Sequence, residues 1–320
     1  MRSMSYAIDV ADLVKVFPRR GEPSLRAVDG LGFAIAPGTI FGLLGPNGAG
    51  KTTTLRILTT LARPTSGRVR ILGHDVVSEP LAVRRGISVV IQETAVELFL
   101  SARDNLLTYA RFHGLGGAEA ARRADRAIDL FGLGDLGGQK VQDLSGGFRR
   151  RVQVAKTFMV DTPIVFLDEF STGMDPLLKR AVMDLLHAEA KRGRTIVLTT
   201  QVLSEAEELC DDILIMNRGR QVARGDLHSL KLLSEGIYEV ALTFERVPEG
   251  LETELAARGA LRTRVTGTTV ELAVKADEQQ VLALVSDLAK RGRVLRVELG
   301  GASLEDVFVE LTTPDAEAAS

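Results

Sequence analysis

Cysteine is nearly absent: Cys210 stands alone among 320 residues. An internal disulfide is therefore excluded, and the chain fits a reducing compartment. Cys210 itself reads as a small apolar residue on a buried helix face. Long apolar runs are missing as well. No stretch reaches the roughly 18 apolar residues needed to span a bilayer, and the most apolar runs are short, such as Ile164-Val165-Phe166-Leu167. The first dozen residues carry acidic side chains and no long apolar core, so they do not read as a signal peptide. Neither sign of charge dominates either. The formal net charge is −2, and nothing global points to nucleic acid. A role at a membrane would need a partner that supplies the spans.

What is present suffices for a large core. Hydrophobic residues make up 45% of the chain, and the length suggests a large domain followed by a small one. Val10 to Phe17 and Gly32 to Pro37 read as short strands around a turn-rich link. Ile40 to Leu44 is a buried strand running into a glycine-rich loop, with a helix over Lys51 to Leu61. Val69 to Leu72 and Ile87 to Ile91 are further strands, the latter apolar enough for a sheet covered on both faces. From about 93 to 160 the pattern is helical, with helices over Asn105 to His113, Gly117 to Phe131 and Gly147 to Met159. Strands return at Ile164 to Leu167, Thr195 to Leu198 and Ile213 to Met216. Between them lie helices over Leu177 to Arg192 and Ser204 to Cys210. Strands alternating with helices imply a mostly parallel sheet.

A boundary is expected near Leu230 to Gly236. The first domain then covers 1–230 and a second covers 237–312, with a flexible tail over 313–320. The second domain reads βαββαβ, the ferredoxin-like order. One of its helices shows an apolar face of Val281, Leu284, Val285 and Leu288. A last helix is capped by Ser303 with Asp306 three residues on.

Gly45-Pro46-Asn47-Gly48-Ala49-Gly50-Lys51-Thr52 fits G-x-x-x-x-G-K-[ST], with a strand before it and a helix after. Its glycines let backbone N–H groups turn inward around phosphate oxygens, and the helix N-terminus adds positive potential. Lys51 suits the β- and γ-phosphates, and the Thr52 hydroxyl suits Mg²⁺. Asp168 follows four apolar strand residues, at the sheet end where ligands of open α/β folds sit. A carboxylate there holds Mg²⁺ or its water. Glu169, the next residue, can polarise a water in line with the γ-phosphate.

Leu144-Ser145-Gly146-Gly147-Phe148-Arg149-Arg150-Arg151 closely resembles the signature of the ATP-binding-cassette (ABC) family, and the resemblance extends over about Ile8 to Leu230. The resemblance implies an α/β P-loop ATPase fold. It has an antiparallel part at the N-terminus and a helical subdomain over 93–160, followed here by the ferredoxin-like domain. It also implies a head-to-tail homodimer, in which the loop of one subunit and the signature of the other enclose each ATP. Gln92 lies where the family has a glutamine that touches Mg²⁺, and Phe17 where a ring stacks on adenine. Thr172-Gly173-Met174-Asp175-Pro176 is similar to the loop through which subunits communicate. The residues expected at the nucleotide are thus Phe17, Gly45, Pro46, Asn47, Gly48, Ala49, Gly50, Lys51, Thr52, Thr53, Gln92, Ser145, Gly146 and Gly147. Those expected at Mg²⁺ are Thr52, Gln92 and Asp168, and those in catalysis are Lys51, Glu169 and Gln201.

The chain departs from the family pattern twice. Phe148 replaces the usual glutamine of the signature, and Gln201 stands where most members carry a histidine. Glutamine can still hydrogen-bond a γ-phosphate but carries no proton to give and no charge, so hydrolysis is expected to be slow. Glutamine here, together with the ending Ala302 to Thr312, resembles the drug-export subgroup of the daunorubicin-resistance type. The resemblance implies the ATPase of an exporter, held at the cytoplasmic face of the membrane by a separate ABC-2-type permease. A soluble ABC ATPase of translation or DNA maintenance is the alternative, but the chain lacks a second cassette, a long coiled coil and a basic stripe. A sensor that binds without hydrolysing is the third reading. Arg149-Arg150-Arg151 reads as a solvated or phosphate-near helix face.

Overall fold

The computed structural model describes residues 6–19, 21, 23–90, 96–234 and 236–312. Two compact units emerge, Met1–Arg224 and Gly225–Ser320. In the first, alternating apolar residues form β1 (Ile8–Phe17) and β2 (Leu25–Ile35), which pair antiparallel with Ile8 opposite Ile35 and Phe17 opposite Leu25. Next comes β3 (Ile40–Leu44), which belongs to another sheet and feeds α1 (Lys51–Leu58). The chain then returns with β4 (Ser66–Ile71) and β5 (His74–Asp75), completing a four-stranded sheet of order β2-β1-β4-β5. The helix expected to reach Leu61 stops at Leu58, and Thr60 beyond it takes a left-handed φ of 63°, which a right-handed helix does not allow.

After α2 (Pro80–Arg85) and β6 (Ile87–Val90), the helical stretch contains α3 (Ala102–Phe112), α4 (Gly117–Leu130) and α5 (Gly146–Thr157). Helix α3 starts three residues earlier than its apolar pattern suggests, because Ser101 caps it and accepts from Asp104 N at 3.0 Å. Then follow β7 (Ile164–Asp168), α6 (Pro176–Lys191), β8 (Thr195–Thr200), α7 (Leu203–Leu209), β9 (Asp212–Asn217) and β10 (Arg220–Gly225). The second sheet runs β10-β9-β3-β8-β7-β6, and β9, β3, β8, β7 and β6 are parallel where they pair. Successive residues on its strands alternate between two cores. Val165, Leu167, Ile196 and Leu198 pack with the helical region, while Ile164, Phe166, Val197 and Leu43 pack on the opposite side with the antiparallel sheet. A strand buried on both faces reads as one apolar run for this reason.

Sequence reading did not find β10. It is joined to β9 by Arg218-Gly219, both at positive φ (47° and 81°), the conformation of a tight two-residue hairpin turn.

The second unit holds α8 (Leu227–Lys231), β11 (Ile237–Phe244), α9 (Leu251–Ala257), β12 (Arg262–Thr266), β13 (Thr269–Lys275), α10 (Glu278–Arg291), β14 (Val294–Gly301) and α11 (Leu304–Thr312). Its sheet runs β12-β13-β11-β14, antiparallel throughout, the strand arrangement of a ferredoxin-like βαββαβ unit. Val281 and Leu288 of α10 are buried against Val240, Leu242 and Leu272 of the sheet, with Leu284 and Val285 partly buried beside them. Ser303 and Asp306 cap α11 reciprocally, Ser303 N donating to Asp306 at 2.9 Å and Asp306 N to Ser303 at 3.2 Å. Helix α8 packs against α11 within this unit. Two parts of the sequence expectations, Ile91 and 313–320, lie outside the described residues.

Candidate functional site

The sheet's central strand determines where the glycine-rich loop sits. β3 ends at Leu44, and the loop that follows is bent by Gly45, Gly48 and Gly50 at φ of 157°, 80° and 104°. Two of these glycines have no room for a side chain. A Cβ on Gly45 would lie 2.3 Å from the Met216 carbonyl oxygen, and one on Gly50 the same distance from that of Ala27. Beside Gly48 there is open space. The loop is thus jammed against its own fold at its two ends and free in the middle. Pro46 is partly exposed, Asn47 and Gly48 are exposed, and Ala49 is buried, its N–H donating to Pro46 O at 3.1 Å. Thr52 and Thr53 lie partly exposed in the first turn of α1.

Lys51 is buried, and its ammonium donates to Gly45 O at 2.6 Å and Pro46 O at 3.1 Å. Burial pushes its pKa below the ordinary lysine value, and the carboxylates of Glu169 and Asp168 pull it back up. These three residues therefore share one electrostatic neighbourhood, although 117 positions separate Lys51 from Asp168.

Asp168 ends β7 and is 1% exposed. Thr199, its neighbour on β8, donates a short hydrogen bond to Oδ1, while Oδ2 is buried with no partner among the described residues. A buried carboxylate oxygen left open is costly unless something positive or a water meets it. Glu169 follows at φ 50°, left-handed backbone that is rare for a residue with a long side chain. Its N–H donates to Thr199 O at 3.0 Å, which helps hold the turn. Gln201, one residue beyond β8, donates its amide N–H to the Glu169 carboxylate. Sequence reading set Gln201 toward a phosphate; the structure also places it on the carboxylate, because β7 and β8 are adjacent and their C-terminal ends meet.

Ser145 caps α5 and accepts from Phe148 N at 3.5 Å. Around Gly146 a Cβ would meet nothing, whereas one on Gly147 would lie 2.7 Å from Gly173 O. Gly146, Gly147, Arg149, Arg150, Gln153, Glu169, Thr172 and Gly173 line an open groove of about 380 Å³. Beyond it, Asp175 caps α6, accepting from Leu178 N at 3.0 Å, and pairs with Arg151 at 2.7 Å. The Leu178 N–H first, and then the Arg151 guanidinium, hold its carboxyl below the usual aspartate range.

The three arginines do not form one solvated face. Arg150 is 9% exposed and donates to the carbonyls of both Asp168 and Glu169, the latter at 2.9 Å, as well as to Gln153 at 2.8 Å. Arg149 donates to Leu144 O and Gln142 O, and Arg151 lies over the Phe148 ring at 4.5 Å. The signal for Arg150 was available. It lies four residues before Val154 and three before Gln153, on the helix face turned inward.

Phe17 stands at the end of β1, 40% exposed, with the Lys15 ammonium 4.9 Å above its ring; it is no core phenylalanine. Gln92 lies outside the described residues. Among the described residues no helix is long and apolar enough to cross a membrane.

Comparison with known proteins follows the same lines. Residues 28–172 match the ABC transporter family. The chain is 38% identical to the daunorubicin/doxorubicin resistance ATP-binding protein of Streptomyces peucetius, with 97% of this chain and 94% of that protein covered. Its identity to the Nod factor export ATP-binding protein I of Paraburkholderia xenovorans is 36%, covering 93% and 95%. Among solved structures, the ATP-binding subunit of an ABC transporter superposes with a TM-score of 0.65 at 26% identity, covering 71% of this chain and 92% of that one. A dimeric ATP-binding cassette holding ADP and phosphate gives 0.64 at 25%, covering 69% and 98%.

Proposed function

The chain belongs to the ATP-binding proteins of ABC transporters, and from that premise we propose how its residues divide the work of an ATP-driven exporter. The observation that carries the proposal is the meeting of Lys51, Asp168, Glu169 and Gln201 where β3, β7 and β8 end. Gly45 to Thr53 hold the phosphates of ATP, with Lys51 turning from the Gly45 and Pro46 carbonyls to the phosphate oxygens. Phe17 supplies an exposed ring for the adenine. Glu169 orients and polarises the attacking water. Gln201 positions the Glu169 carboxylate and stays neutral across the physiological range, so turnover is slow relative to a site carrying an imidazole.

The donor set fits Mg²⁺. The open buried oxygen of Asp168 and the Thr52 hydroxyl are hard oxygen ligands of the kind this ion takes. When bound, the ion neutralises phosphate charge. Gln92 joins this set by its place in the sequence.

Ser145, Gly146 and Gly147 form a second cradle, open beside Gly146. It closes on the ATP of a second copy in a head-to-tail homodimer. Arg150 then links that cradle to the carbonyls of Asp168 and Glu169 within one subunit. Closure drives a separate permease of the ABC-2 type, which places the protein at the cytoplasmic face of the membrane. The permease docks on the helical region that follows Gln92 in sequence, where exposed Leu81 and Phe112, with Arg84, Arg85 and His113, line a depression of about 600 Å³. The relatives named for daunorubicin, doxorubicin and Nod factor favour export of drugs or other small molecules. Residues 1–230 form the nucleotide-binding domain, with its helical subdomain over 93–160, and 237–312 an accessory domain.

Glu169→Gln tests the assignment. Turnover should fall at least about a hundredfold, while ATP-dependent dimers persist and are visible by light scattering. Ordinary hydrolysis by this variant would overturn the role given to Glu169.

A further inference from the structure

The sheet of the second unit ends in an uncovered edge. β14 lies outermost in the order β12-β13-β11-β14 and, among the described residues, pairs with β11 alone. Every residue from Leu295 to Gly301 is exposed, including Leu295, Val297 and Leu299. Such an edge presents a row of unpaired N–H and C=O groups, a template for another strand. Proteins commonly blunt edges with proline, lysine or a bulge. β14 has neither proline nor lysine. Its register shifts once, between the partners of Thr243 and Phe244, leaving Arg296 to Gly301 regular. Its two charges, Arg296 and Glu298, pair with each other at 2.5 Å.

We propose that β14 pairs antiparallel with β14 of a second copy of this chain, centred on Val297, so that two four-stranded sheets become one of eight. Symmetry limits the registers. A two-fold axis normal to the sheet keeps the helix-covered faces of both copies on one side, so each residue meets one an even number of positions away. Centring on Arg296 or on Glu298 sets like charges against each other at the axis, which is destabilising. Centring on Leu299 opposes Arg296 to Ala302 and leaves both charges without an opposite. Centring on Val297 sets Arg296 of each copy against Glu298 of the other, twice, with Val297 against itself, all within the stretch whose register is regular. The regular stretch from Arg296 to Glu298 is therefore self-complementary in both charge and hydrophobicity. The inference extends the dimer proposed above, but the contact needs no nucleotide and makes a second, separate bond between copies.

Cysteine cross-linking in the full chain tests it. Cys210 is the sole native thiol, and burial raises its pKa, so it gives little background. Under mild oxidation without nucleotide, Val297→Cys should form disulfide-linked dimers in most chains, and Glu298→Cys, two positions off its own symmetry mate, in few. Adding Arg296→Glu to Val297→Cys should slow cross-linking about tenfold, and adding Glu298→Arg as well should restore it to within about twofold, because opposite charges again face each other. Absence of cross-linking at 297, with ATP-driven dimers of Glu169→Gln intact, overturns the edge contact and leaves the cassette reading standing. Cross-linking at 297 without ATP-driven dimers supports the edge contact and removes the nucleotide sandwich. Equal cross-linking at 297 and 298, or capture of a different polypeptide instead of a second copy, overturns the proposal.

Discussion

Two glycine-rich turns open helices in this chain, and they are held in opposite ways. The turn before α1 is locked by its own unit, with Gly45 and Gly50 pressed on the Met216 and Ala27 carbonyls and Lys51 bonded to the loop it closes. At the turn before α5, only Gly147 has a close neighbour, Gly173 O, while Gly146 faces open space and Ser145 caps at the long distance of 3.5 Å. The first cradle is complete within one chain. The second is left open on one side, as a surface that receives a ligand held by another body would be. The same residue type at the same place on a helix thus serves two purposes, told apart only by what surrounds the missing Cβ.

The largest effect that would sharpen this contrast is expected at Gly50. Gly50→Ala places a methyl 2.3 Å from a carbonyl at φ 104°, and denaturant unfolding should show a loss of about 3 kcal/mol or more. Gly146→Ala should change that stability by no more than about 0.5 kcal/mol, acting instead on ATP-driven association. Equal destabilisation by the two would break the contrast. Next in size is Arg150→Leu, which strips the donor from two carbonyls at the catalytic turn. A loss of about 2 kcal/mol is expected, with turnover falling alongside it and Arg150→Lys recovering part of both. An unchanged melting curve would return Arg150 to the solvated face that the sequence suggested. The smallest effect is expected at Phe17. Phe17→Ala should leave unfolding unchanged and weaken ATP binding by about three- to tenfold, the worth of one aromatic stack, as measured by nucleotide titration.

Much of this was legible before any coordinates. The phosphate loop, the Asp168-Glu169 pair and the βαββαβ succession of elements in the second unit follow from local patterns, because each rests on short-range rules: glycine freedom, apolar periodicity, helix caps. What escaped depended on neighbours distant in sequence. Three adjacent arginines look alike until the strand carrying Asp168 passes beneath only one of them. The hairpin at Arg218-Gly219 carries an arginine at positive φ, a weak turn signal that pairing of β9 with β10 overrides. The bond from Gln201 to Glu169 needs β7 and β8 side by side, which no spacing of 32 residues reveals. The edge on β14 is likewise visible only once the strand order is known.

Glu169 sits in left-handed backbone at φ 50°, a region that costs an ordinary side chain about 1 kcal/mol or more and costs glycine almost nothing. Replacing it with glycine or asparagine would therefore relax the turn while removing the carboxylate proposed to activate water. At this one position, random mutation trades activity for sturdiness, and a lineage that no longer needed turnover would slide downhill into losing it. Local backbone comfort and the role proposed for Glu169 thus pull in opposite directions at a single residue.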